Sequence, residues 1–301
     1  MRAPHREQHF QRVVVVLDAT SDSARTLQSS AHLASRFDAE LLALFVEDRK
    51  LLDLEDHPYA RAIDLPTGLG HGIGRGSMRR NHRALARRAE RMMARLATSR
   101  QLEMHFEAIT AEGWGRLGER LGSSDLLVVE RMERRSFCPR TAVPHSRMLA
   151  GRTAVPVLFT GISSALRSLV VIYDGSRLAR DGFDVALRID GHHRALITVV
   201  LVAPTDVQAA RLREEVATRL GTSAPTRRIH LRRITQSTPQ RVANVARSVH
   251  AQLLVIPHDG DDLDDEAIAG VTDRIDCPVL VLRGTTGGDE AVRQAISRSG
   301  H

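Results

Sequence analysis

Apolar residues recur along the chain in short β-branched runs, separated by longer stretches in which they return every three or four positions. The segment "RVVVVLDATSDSARTLQSSAHLASRFDAELLALFVED" (residues 12–48) shows the unit. A dense apolar run meets Asp18 and a Thr/Ser/Asp cluster. A helical period follows in which Leu27, Ala31 and Ala34 share one face, and a second apolar run closes the unit. This predicts strand, helix, strand, with Thr20 or Ser21 placed to cap the helix. Further strands are predicted at "LEMHFEAIT", "DLLVVE" and "AVPVLF", with helices at about 78–99, 112–121 and 144–151.

The second half repeats the order. "SLVVIYDGSRLARDGFDVALRI" mirrors the first strand and helix, "ALITVVLVA" mirrors "ELLALFVED", and "RRIHLRRIT" mirrors "LEMHFEAIT". "QLLVIP" mirrors "DLLVVE", and "CPVLVLR" mirrors "AVPVLFT". Strands alternating with helices predict parallel sheets with right-handed crossovers. Continuously apolar strands predict sheets covered on both faces. The expectation is an α/β protein of two tandem Rossmann-like domains, residues 1–161 and 162–301. One irregularity, at about 48–77, is an insertion in the first copy holding "GLGHGIGRG". That string lacks the lysine of a Walker loop and the i, i+2, i+5 glycines of a dinucleotide fingerprint, so it predicts a flexible tether rather than a phosphate cradle.

Composition narrows the chemistry. Of 301 residues, Lys50 is the only lysine, which removes Walker-type and most Schiff-base mechanisms. Cys138 and Cys277 show no CxxC spacing, the 14 histidines form no HExxH, and no GxSxG elbow occurs, so neither a metal site nor a catalytic residue is assigned. No apolar run reaches the roughly 20 residues of a membrane helix. With no signal-like N-terminus, this predicts a cytoplasmic protein. The net charge of +7 lies mostly in the first half, where 25 Arg/Lys face 19 Asp/Glu, against 18 and 17 in the second. The helix at 78–100 carries Arg79, Arg80, Arg83, Arg87, Arg88, Arg91, Arg95 and Arg100 against Glu90, with Leu85, Ala89, Met92, Met93 and Leu96 as its apolar face. A solvated basic face is the expectation. Nucleic-acid binding through it is kept as an alternative, although 3% aromatic residues leave little for base stacking.

The strand ending in Asp before a Ser-rich turn ("LDATSDSA", "YDGSRLA"), the second strand ending "FV" or "LVA", and the fourth strand leading to "PV" and a closing strand resemble the universal stress proteins. The resemblance covers nearly the whole chain outside the insertion and termini. It implies a five-stranded parallel sheet in each domain and, because such relatives pair as dimers, a pseudo-dimer of the two copies through their last strands. It also implies ATP bound through the strand-one Asp and a loop patterned G-x2-G-x9-G-S/T, whose backbone N–H groups approach phosphate. The candidate nucleotide contacts it implies are Asp18, Val46, Asp174, Gly175 and Gly260.

The loop itself is overwritten. The first copy has Glu130, Glu133, Val143 and Pro144 at the glycine and Ser/Thr positions, and the second has Pro257 at the first. The second copy's loop reads "HDGDDLDDE", where carboxylates would repel a triphosphate. Weak or lost ATP binding follows. The acidic run is expected to feed a helix N-terminus. The arginines of "RMERRSFCPR" offer an alternative anion site, and with the two strand-end aspartates they make adenine-nucleotide binding the first alternative function. The resulting expectation is a non-enzymatic, stress-responsive regulatory protein acting through protein partners or small-ligand sensing, with homodimerisation open.

Overall fold

The computed structural model describes residues 10–17, 23–47, 57, 59, 61–63, 67–72, 76–110, 117–130, 155–160, 166–191, 195–221, 227–258 and 265–283. Strands β1 (Arg12–Leu17), β2 (Glu40–Glu47), β5 (Met104–Thr110), β6 (Asp125–Glu130) and β7 (Val157–Thr160) come from the first half. Strands β8 (Ser168–Tyr173), β9 (Leu196–Val202), β10 (Arg228–Ile234), β11 (Leu253–His258) and β12 (Val279–Arg283) come from the second. Together they form one ten-stranded sheet in the order β10-β9-β8-β11-β12-β7-β6-β1-β2-β5. Each half contributes the same strand order, and all pairings are parallel except the central one. There β12 meets β7 antiparallel, Leu280 opposite Leu158, which is the pairing through last strands that the resemblance implies.

Period-2 alternation decides which face each side chain covers. Val13, Val15 and Leu17 join one core while Val14 and Val16 join the other. The first face is covered by α1 (Ser23–Phe37), α2 (Ser77–Arg100), α4 (Arg177–Asp190) and α5 (Asp206–Leu220). The second is covered by α3 (Leu117–Arg120), α6 (Pro239–Ser248) and α7 (Asp265–Thr272). Leu27, Ala31 and Ala34 are fully buried, as their spacing predicts. The first core runs unbroken across the seam, because α1 packs on α4 and the Arg188 guanidinium lies 5.5 Å from the Phe37 ring centre. Gly182 permits the close seating of α4: a Cβ there would come within 3.0 Å of Leu282 and 3.2 Å of Val255.

The insertion differs from the expected tether. Arg61–Ile63 (β3) pairs antiparallel with Gly70–Gly72 (β4), so part of the glycine alternation is a strand of a small ribbon. Glycines on alternate positions give no apolar face to read. The helix expected at 78–99 is α2. Of that expected at 112–121, only α3 lies within the described residues, and the one at 144–151 lies outside them.

Candidate functional site

In an open parallel sheet, the crevice for a ligand lies at the carboxyl ends of the two strands where the chain reverses its winding. Here those pairs are β1 with β6 and β8 with β11. The second crevice is the better defined. The β8–β11 ladder ends at Val255 opposite Val171, while β8 continues along β9 to Tyr173, so the sheet opens before Pro257, a residue with no N–H to donate.

Asp174 follows the end of β8. Its Oδ1 accepts from the Ser176 N–H at 2.7 Å, and Ser176 caps α4 by accepting from the Ala179 N–H at 3.1 Å. Asp174 is thus a turn acceptor that sets the helix start. Gly175 between them has φ +83, and a Cβ on it would lie 2.7 Å from Leu212 Cδ2 of α5. The missing side chain is demanded by a helix of the same half.

The same helix fills the space beside β8. Tyr173, fully buried, donates its hydroxyl to Glu215 Oε1 at 2.8 Å, and Arg180 of α4 donates to the same carboxylate oxygen. Burial pushes the Glu215 carboxyl up, but the hydrogen bonds from Arg180 and Tyr173 outweigh it, and the group titrates below the usual carboxylate range. Burial, helped by the hydrogen bond to an anion, pushes the Tyr173 hydroxyl well above its ordinary value. Next to this cluster, Arg219 donates to Asp184 at 2.5 Å.

In the first crevice, Glu130 stands at the end of β6, at the first glycine position of the expected loop. Its Oε2 accepts from the buried Thr26 hydroxyl of α1 at 3.2 Å. A side chain anchored to a helix occupies the place where a glycine would leave room for phosphate.

Of the expected contacts, Asp174 and Gly175 share the turn between β8 and α4 in the second half, and Val46 belongs to the first half. Asp18 and Gly260 lie outside the described residues, as do the arginine loop 131–140 and most of the acidic run. Asp265 and Glu266 do open α7, as the dipole argument expects. Val46 is 5% exposed, in the core on the second face. Its strand lies six strands from β8, about 29 Å at roughly 4.8 Å per strand. Sequence reasoning missed Tyr173, Arg180, Leu212 and Glu215, for which the one signal was a tyrosine ending an otherwise aliphatic strand. It also left His82 out of the buried face of the helix at 78–100, yet His82 is 3% exposed, edge-on to Phe45 at 6.3 Å. The helical spacing 82, 89, 93 could have shown this. Among the described residues no group of three His, Cys, Asp or Glu could hold a metal, and no helix is long and apolar enough to cross a membrane.

No protein-family model and no curated protein matches the chain in sequence. Solved structures do match it in fold over nearly its whole length. A protein from Pseudomonas aeruginosa UCBPP-PA14 described as a universal stress protein superposes with a TM-score of 0.61 at 16% identity, covering 96% of this chain and 99% of that one. A universal stress protein from Archaeoglobus fulgidus gives 0.62 at 14% identity, covering 92% and 98%. A functionally unknown protein from Pseudomonas aeruginosa PAO1 gives 0.58 at 16%, covering 97% and 99%. The chain therefore has the fold of the universal stress proteins.

Proposed function

We propose that the protein is a tandem universal-stress-protein-like regulator, with domains at 1–161 and 162–301, that acts in the cytoplasm through protein contacts or small-ligand sensing and not through catalysis. On this reading its second half has lost ATP binding, and the first has at most a weak site. The observation that carries the proposal is the self-filled second crevice. Leu212 packs toward Gly175, Glu215 binds Tyr173 and Arg180, and one oxygen of the Asp174 carboxylate is engaged by the turn. Leu212 obstructs approach to the glycine from the side of α5, and the loop that would hold phosphate begins at Pro257. Thr26 and Glu130 give the first half a related, less complete, obstruction.

Protein contact is supported by the insertion. Tyr59, Ile63 and Leu69 are 86%, 66% and 70% exposed, three of the four large apolar side chains exposed among the described residues. Such residues clustered in one segment are the usual anchors of a partner surface.

Thermal unfolding with ATP, ADP or AMP and Mg²⁺ tests the reading. A ligand present at a hundred times its Kd adds about 2.7 kcal/mol, worth several degrees in a chain of this size. The expected shift at millimolar nucleotide is under about one degree by the same relation. A shift of several degrees would reject the loss of binding, and ATP turnover with Mg²⁺ would reject the non-catalytic role.

A further inference from the structure

Helix α2 carries eight arginines and one glutamate, a formal charge of +7 that equals the net charge of the whole 301-residue chain. The remaining residues are balanced. The electrostatic asymmetry of the protein is thus a property of one helix.

The structure places those charges together. His82, Ala89 and Met93 are buried against the sheet, and at 100° per residue Arg83, Arg87, Arg91 and Arg95 stand on the opposite side. Their i, i+4 spacing makes a ladder with rungs about 6 Å apart and a length of about 18 Å. The side chains of Arg83, Arg87, Arg88, Arg91 and Arg95 form no hydrogen bond or ion pair with the described residues. Like charges at this spacing repel and weaken a helix. α2 therefore keeps four mutually repelling, uncompensated guanidinium groups in a row. Arg88, Arg91, Met92 and Arg95 also line a groove of about 270 Å³.

We infer that this face binds the phosphate backbone of double-stranded nucleic acid without reading its sequence. A duplex presents one phosphate per about 1.7 Å of axis, so a contact of about 18 Å faces roughly ten of them. Guanidinium groups bind phosphate oxygens in bidentate fashion. The chemistry of the face argues against the other polyanionic surfaces. Among the described side chains of α2 no exposed one is a larger apolar group than alanine, so they offer little to insert into acyl chains and no aromatic or aliphatic anchor for a protein pocket. The paucity of aromatic residues, 3% of the chain, disfavours single strands, which are gripped by stacking.

The test is fluorescence anisotropy of the full-length protein with two unrelated 30-base-pair duplexes between about 50 and 200 mM NaCl, the range over which phosphate contacts show their salt dependence. The expected result is equal affinity for both duplexes. The log–log salt slope should fall by about 3.6 when Arg83, Arg87, Arg91 and Arg95 are all changed to Gln, at about 0.9 per contact. Gln keeps the helix propensity of Arg, and circular dichroism confirms that the variant is folded. Arg213→Gln with Arg228→Gln, exposed arginines off this helix, should leave the slope unchanged. Three results would overturn the inference: no duplex binding at the lowest salt, a slope that the quadruple variant does not change, or binding to phosphatidylserine vesicles with none to duplex.

Discussion

Replacing Gly175 by Ala, alone and together with Leu212→Ala, isolates the contact that closes the second crevice. A side chain at φ +83 costs about 1–2 kcal/mol from its clash with the following carbonyl. The added methyl also meets Leu212 Cδ2 at 2.7 Å, and overpacking of that kind costs about 1–3 kcal/mol more. Leu212 is 5% exposed, so truncating it alone removes a buried side chain at about 2–5 kcal/mol. In the truncated background the new methyl has space, and Gly175→Ala should cost its backbone strain only. The coupling between the two changes is then about 1–3 kcal/mol, in the sense that the double variant is more stable than the sum predicts. Urea unfolding followed by far-ultraviolet circular dichroism gives the four midpoints, comparable as long as the m-value is constant. If Gly175→Ala costs the same in both backgrounds, the glycine is not there to admit Leu212, and the physical account of this crevice fails.

Three other outcomes follow from the geometry. Glu215, depressed in the folded state, contributes stability that is present above the ordinary carboxylate pKa and lost as pH falls through its folded value. Tyr173, raised, contributes stability that is full below about pH 10 and lost as pH rises further. Replacing Glu215 by Gln should therefore flatten the acid limb of a stability–pH profile and leave an alkaline limb that Tyr173→Phe removes; profiles parallel to wild type would contradict both assignments. Asp125, buried at the start of β6, accepts from Arg12 at 2.6 and 3.0 Å and from the Gly122 N–H at 2.8 Å, so Asp125→Ala should cost about 2–4 kcal/mol in chemical unfolding, within the range for removing a partner of charged hydrogen bonds; a loss below about 0.5 would refute that role. His82 Nδ1 is buried without a partner among the described residues, so His82→Leu should be neutral or raise the melting temperature; a clear drop would mean the imidazole is satisfied.

The inner strands were legible as continuous apolar runs, the mixed edge strands β5 and β10 were legible from their match to each other, and the repeat made the second set of five a check on the first. The face of α1 followed from three spacings, and the solvent face of α2 from its arginines. What could not be read is what depends on distant partners. Tyr173 and Glu215 are 42 residues apart, and only the seating of α5 beside β8 brings them together. Gly175 looks in sequence like part of a phosphate turn, and it takes the position of Leu212 to show why no side chain fits. Glu130 could be seen to replace a glycine, but not that it would reach Thr26 on a helix. The ribbon in the insertion was invisible for a different reason: glycine carries no side chain by which a strand could announce its face.

Calorimetric titration of ATP and Mg²⁺ into the purified full-length chain, first shown by mass spectrometry to carry no nucleotide, addresses the central claim most directly. The self-filled second crevice and the overwritten loops predict no saturable heat up to millimolar ATP. Saturable micromolar binding abolished by Asp174→Ala would contradict that account.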